Sequence, residues 1–260
     1  MFTQGLKGSR EDKNDMKQEE TKSKGREFYQ EAVRILNRSG IPYLIGGGFA
    51  LKHHTGVHRD TKDLDIFCKA GSAPKILKAL AAENYNTEIT DSRWISKAYK
   101  DNHFIDIIFN TVNNLCPVDD SWFDHAVEGI FLEEQVRYIA PEELFWCKIY
   151  VQNREHYDAA DLNHLILKNS HEMDWNRVMM RMEQHWHLLL AQFLNFQFVY
   201  PADRDKIPKW LFDELLDRAK EQYDFPAPME KVCRGPLVDH SMYTNDIIDW
   251  GYKIITVKNL

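Results

Sequence analysis

Residues 43 to 69 read YLIGGGFALKHHTGVHRDTKDLDIFCK, and no other stretch limits the fold of this chain as tightly. Gly46-Gly47-Gly48 closes the apolar run from Tyr43 to Ile45, and Asp63 and Asp65 open a second run from Leu64 to Phe67. The pattern is a strand, a glycine turn, a short helix from Phe49 to His54 and a second strand over 63–68. Side chains alternate along a strand, so Asp63 and Asp65 share one face while Leu64 and Ile66 share the other. Two carboxylates on one strand face beside a glycine-rich turn suit a divalent metal and the phosphates of a nucleotide. The bland counterparts are a solvated strand end and a simple tight turn.

The rest of the chain supplies the frame. Phe28, Ala32, Val33, Ile35 and Leu36 fall near one helical face, and Gly40 is a natural stop for that helix. Ala73 to Asn84 reads as a helix, and Thr87–Thr90, Ser96–Lys100 and Gln135–Ile139 read as strands. HFIDIIFN, residues 103 to 110, alternates Phe104, Asp106 and Ile108 against Ile105, Ile107 and Phe109. It is a strand that carries a third acid. At Ala140-Pro141-Glu142-Glu143 a proline followed by two acids marks a helix start. Beyond it the expected helices are Leu144–Gln152, Asp158–Leu167, Trp175–Phe198 and Trp210–Tyr223. Residues 201–209 and 225–242 carry prolines and read as loops, and Tyr243–Tyr252 as a last short helix.

The expected fold is therefore α/β (α+β). A mixed sheet with flanking helices occupies 26–140, and a mainly helical domain follows over 141–260. Residues 1–25, polar and almost free of large apolar side chains, read as a disordered tail.

Composition narrows the function. The 260-residue chain is 43% hydrophobic, as a folded protein requires, and its formal net charge of −7 argues against a general nucleic-acid coat. A local basic cleft near His53, His54, His58, Arg59 and Lys62 stays open. Cys68, Cys116, Cys147 and Cys233 are far apart in sequence, which disfavours a disulfide framework or a structural zinc site. There is no signal-peptide pattern and no run long enough to span a bilayer. The expectation is a soluble, cytoplasmic protein with no membrane partner. His53 and His54 are consecutive on a helix and cannot share one ligand direction. His103, His185 and His187 read as structural.

The glycines and the acids on two strands together resemble the nucleotidyltransferase superfamily that shares its fold with polymerase β. In that signature a glycine pair precedes a short helix, then Asp-x-Asp, with a third carboxylate on a later strand. Gly47 and Gly48 fit the pair, Asp63 and Asp65 the paired acids, and Asp106 the third. GGGFALKHHTGVHRDTKDLDIF looks most like the AbiEii-type and related stand-alone bacterial enzymes. The resemblance continues more loosely through APEELFWCKIYVQNREHYDAADLNHLI, where Lys148, Arg154, Asp158 and Asp161 match in order.

The resemblance implies Mg²⁺-dependent transfer of a nucleoside monophosphate from an NTP to a hydroxyl, with release of pyrophosphate. Two Mg²⁺ ions ~3.5–4 Å apart serve such displacements. Asp63 and Asp65 would bind the metals, and Asp106 would complete the acceptor-side site and take the hydroxyl proton. Gly47, Gly48 and Lys148 would contact the nucleotide phosphates. Asp158 and Asp161 read as capping and salt-bridge residues. The implied acceptor is a tRNA, a protein or a small molecule, with tRNA or protein favoured because relatives of this type often act as toxins, each with a cognate antitoxin. The rival reading is a lapsed nucleotide-binding or partner-binding protein of the same fold, an antitoxin or adaptor. Three retained acids weigh against it, because a lapsed site has no need for clustered like charges.

Overall fold

The computed structural model describes residues 25–59, 61 and 63–254. The expected tail, apart from Gly25, and Lys62 of the candidate basic cleft lie outside the described residues.

A helix through residues 25–39 (α1) ends at Gly40, whose φ of +67° is the left-handed stop that glycine adopts most readily. The sheet is then built from β1 (Leu44–Ile45), β2 (Leu64–Phe67), β3 (Asn86–Asp91), β4 (Ile95–Lys100), β5 (His103–Ile108), β6 (Val127–Phe131) and β7 (Glu134–Tyr138). Their order is β3-β4-β5-β2-β1-β7-β6. β2 runs parallel to β5 and β1 parallel to β7, and the other neighbours are antiparallel. The mixed α/β fold read from the sequence is the fold found. β2 and β5 lie next to each other in the middle, so acids on them meet on one face.

Helices cover the sheet. α2 (Gly47–Thr55) links β1 to β2 and ends at Gly56, again left-handed with φ +74°. α3 (Ala73–Ala81) has Pro74 in its first turn and buries Ala73, Ile76, Leu77 and Leu80, one helical stripe. α4 (Asp120–Asp124) buries Trp122.

From Pro141 to Asp224 the chain is helical apart from an isolated bridge between Gln152 and Tyr157: α5 (Pro141–Lys148), α6 (Ala159–Asn169), α7 (Trp175–Met182), α8 (Trp186–Val199) and α9 (Lys209–Asp224). A short α10 (Thr244–Ile248) and a two-stranded pair, β8 (Val232–Cys233) with β9 (Lys253–Ile254), follow. One hydrophobic cluster runs through both halves, from Phe28 and the sheet to Phe193 and Leu215. α5 and α6 both pack on α2.

The structure corrects several expectations: residues 201–209, read as a loop, open with a 3₁₀ helix, Pro201–Lys206, and β8 lies inside the expected loop 225–242. The single helix over Trp175–Phe198 is broken at Glu183, where φ is +31° and one 3₁₀ turn, Glu183–His185, intervenes. β6 was absent from the expected strands; it forms a hairpin with β7.

Glu142 and Glu143, the two acids that mark the start of α5, are also buried and ion-paired. Arg177 Nη2 lies 2.9 Å from Glu142 Oε2 and 2.6 Å from Glu143 Oε2, and all three residues are buried. Burial pushes the Glu143 carboxyl upward, and the Arg177 charge opposes the shift. Arg177→Met is expected to cost ~3–5 kcal/mol, because it takes the shared cation from two buried acids and leaves only Arg181, 3.8 Å from Glu143 Oε1, beside them. Chemical denaturation measures it, and a loss under 1 kcal/mol would mean that water already reaches the cluster.

Candidate active site

The site is centred where β1 turns into α2. Gly46 N–H donates to Asp65 O at 2.9 Å, extending the β1–β2 ladder by one bond. A Cβ on Gly46 would lie 2.2 Å from the Phe67 ring. Gly47 has φ +54°, and a Cβ there would fall 1.6 Å from Asp65 Oδ2. The Asp65 carboxylate thus lies directly against the Gly47 backbone. Among the described residues, the nearest neighbour of a Cβ on Gly48 would be Thr61, at 3.4 Å. The glycines that sterics demand are Gly46 and Gly47, and all three stand at the start of α2, whose first-turn amides have no acceptor within the helix.

β2 and β5 set the acids. Asp65 and Asp106 are Cα partners in the parallel ladder, and Asp63 precedes β2 by one residue. Thr61 Oγ1 donates to Asp63 Oδ1 at 2.9 Å and to Asp63 O at 3.0 Å, which holds the approach to the strand. Asp106 is 8% exposed, with Ile105 and Ile107 fully buried on the opposite sheet face. Burial pushes the Asp65 carboxyl up to about 7, helped by the negative charges of Asp63 and Asp106 and opposed by Lys148 and Lys97. Burial also raises Asp106, against the pull of the Lys97 ammonium. The negative charge of Asp63 reaches both Asp65 and Asp106, so the three acids share one electrostatic neighbourhood.

Two side chains here carried no signal in the sequence. Lys97, on β4, is the register partner of Asp106, and its Nζ lies 2.8 Å from Asp106 Oδ1. Tyr29, on α1, is buried, and its hydroxyl is pushed up to about 12 by burial, then by Asp63 and Asp65. Neither belongs to a spacing motif; only the tertiary fold brings them to the acids.

Lys148, at the end of α5, is anchored by two carboxylates, Asp158 Oδ2 and Asp161 Oδ2, each at 2.8 Å. Burial works against its ammonium, but these two acids outweigh that and raise its pKa. Asp161 is 4% exposed and takes a second cation, Arg59 Nη2, at 2.5 Å from Oδ1. The loop into Asp63 is thereby tied to α6, and Lys148 acts on Asp65 from the same side.

The histidines do other work. His54 Nε2 lies 2.8 Å from Ile139 O, and His53 stacks on Tyr138 with centroids 4.1 Å apart. Desolvation lowers the pKa of both. His103 packs in an aromatic cluster with Phe28 and Tyr29. His185 meets the Tyr150 hydroxyl at 2.7 Å, and His187 meets Gln222 at 2.9 Å.

Among the described residues, no group of three or more His, Cys, Asp or Glu is arranged to hold one metal ion. The donor set at the acids nevertheless fits a hard divalent cation: carboxylate oxygens on one face, where burial, then the neighbouring acids, lift Asp65 to about 7. All four cysteines are free thiols, and no helix among the described residues is long and apolar enough to cross a membrane.

The family model described as "Uncharacterised nucleotidyltransferase" matches residues 15–196. No curated protein matches the chain. Solved structures with a similar course of chain include the antibiotic-resistance factor ANT(2'')-Ia in solution, at 14% identity and TM-score 0.45 over 65% of this chain and 95% of that one. The lincosamide antibiotic adenylyltransferase LnuA, lincomycin-bound, matches at 18% identity and TM-score 0.39, over 54% of this chain and 94% of that one. JHP933 from Helicobacter pylori matches at 13% identity and TM-score 0.37, over 76% and 97%.

Proposed function

The chain belongs to this family of uncharacterised nucleotidyltransferases, and from that premise we propose that Asp63, Asp65 and Asp106 hold Mg²⁺ for transfer of a nucleoside monophosphate from an NTP to a hydroxyl, with release of pyrophosphate. The observation that carries the reading is the β2–β5 register: Asp65 and Asp106 are partners on adjacent central strands, against the bare backbone of Gly47.

A divalent cation, two in the full site, supplies charge neutralisation at the phosphates and at the attacking and leaving oxygens. The chain's own residues do the rest. Asp63 and Asp65 provide oxygen ligands on one face, and Asp106 faces the acceptor hydroxyl and takes its proton. Gly47 and Gly48 let the first turn of α2 approach the phosphates closely. Lys148 adds a fixed positive charge, kept in place by Asp158 and Asp161.

Lys148→Ala is expected to weaken NTP binding at least about tenfold, the worth of one phosphate-directed charge. Because Lys148 also satisfies two acids, stability will fall with it, so calorimetric titration well below the transition is the proper measurement. Unchanged affinity would remove Lys148 from the nucleotide site.

For the acceptor, charge is the guide. Lys97, Lys148 and Arg59, the cations described around the acids, are each engaged by a carboxylate. A polyanion such as tRNA binds through cations that face solvent, and Arg59 keeps 46% of its side chain exposed beside its ion pair, so tRNA, a protein side chain and a small-molecule hydroxyl are the three acceptor classes to test. Within the superfamily we place the chain beside the AbiEii-type enzymes on its GGGFALKHH and RDTKDLDIF runs. A cytoplasmic toxin with a cognate antitoxin is the corresponding biological setting.

The test is incubation with each labelled NTP, Mg²⁺ and separate pools of cellular RNA, protein and small polyols. Label transferred to any pool supports the enzyme and identifies the acceptor class. Nucleotide binding without transfer to any pool would favour the lapsed, partner-binding alternative.

A further inference from the structure

Asp106 stands between two strands of opposite character. On the β2 side its register partner is Asp65, a fellow acid. On the β4 side it is Lys97, whose ammonium lies 2.8 Å from Asp106 Oδ1 and 4.5 Å from the centroid of the Phe104 ring. Lys97 and Asp106 side chains are 23% and 12% exposed, so this ion pair is largely withdrawn from solvent and weakly screened. Coulomb attraction at such a separation is strong enough to compete with another cation for the same oxygen. The lysine therefore stands where a cation serving Asp106 has to compete.

We propose that Lys97 is a resident competitor for the third carboxylate: it pairs with Asp106 in the metal-free protein, yields it to the divalent cation, and so sets how tightly that cation is held without ligating it. The inference rests on the reading of Asp106 as a metal ligand. Lys97 is then a positioning residue.

Mn²⁺ binding to the full chain, without nucleotide, tests this through loss of the free-ion electron paramagnetic signal. Lys97→Met is expected to bind Mn²⁺ about tenfold tighter than the parent, the effect of removing one close like charge. Lys97→Arg, which keeps the charge, is expected to bind no tighter than the parent. Adding Asp106→Asn to Lys97→Met is expected to abolish the gain. Lys97→Gln provides the same comparison should the methionine variant fail to fold.

If Lys97→Met leaves affinity unchanged or lower while Asp106→Asn alone weakens binding, Lys97 merely ties β4 to β5. The inference then falls while the reading of Asp106 survives. If Asp106→Asn changes nothing in either background, Asp106 is no ligand and both fall together.

Discussion

Asp65→Asn is expected to reduce nucleotidyl transfer at least about a thousandfold, since it removes an oxygen ligand from the centre of the charge-stabilising site. The same substitution is expected to stabilise the metal-free protein at pH 8. The Asp65 carboxyl is raised from 3.8 to about 7 in the folded protein. Between those values the folded state holds a proton that the unfolded state releases, so stability declines as pH rises from about 4 to about 7 and then levels off. Asparagine carries no charge at any pH, so its advantage should open across that window and reach a few kcal/mol. Chemical denaturation of chelator-treated protein at pH 5 and pH 8 measures it. Activity within tenfold of the parent would remove Asp65 from the site. A loss of stability at pH 8 would make it a structural partner whose charge the fold needs.

Gly47→Ala should be nearly as damaging, and for a different reason. The new methyl would lie 1.6 Å from Asp65 Oδ2 on a backbone with φ +54°. The left-handed conformation alone costs ~1–2 kcal/mol for a residue with a Cβ, and displacing Asp65 adds to it. The total should be about 3 kcal/mol or more, with transfer lost. Gly48→Ala is the informative control. Its methyl would meet Thr61 at 3.4 Å, a contact that a small shift relieves. Stability should change by less than ~1 kcal/mol, since alanine is the better helix former, while NTP affinity falls because a side chain now covers the phosphate approach. If Gly48→Ala leaves NTP affinity intact, Gly48 plays no part in binding phosphate. If Gly47→Ala is tolerated, the close approach of Asp65 to the α2 backbone is not needed for the fold.

The contrast between these two glycines also marks how far the sequence was legible. The alternation around Asp65 and Asp106 placed these two acids on strands, with Asp63 one residue before β2, because a period of two in an apolar run is a strong local signal. Three consecutive glycines, by contrast, look alike in sequence. Only the Phe67 ring and the Asp65 carboxylate distinguish Gly46 and Gly47 from Gly48, and both contacts are tertiary.

β6 escaped notice because its hairpin turns through Leu132 and Glu133, both with positive φ of 47° and 73°. Asn-Gly or Asp-Gly would have announced such a turn; Leu-Glu does not. Glu128 and Ile130 are exposed, so the strand also lacks a clean alternation of polar outside and apolar inside. The break at Glu183 was hidden similarly, in a run of good helix formers with no glycine or proline. Lys97 and Tyr29 were invisible for a simpler reason: each meets the acids across a strand pair or from a helix, at no fixed sequence offset.

Because α2 carries the glycine turn at one end and has α5 and α6 against its flank, the first and last parts of this enzyme are not interchangeable cassettes. A chimera that grafted another relative's helices after residue 140 would have to supply a new surface for α2 to pack against. It would also need a new mate for Arg59 and fresh anchors for Lys148 before it could recognise a different acceptor. Changes of acceptor in this lineage should therefore arise through point replacements around the acids, with wholesale exchange of the carboxy-terminal helices selected against.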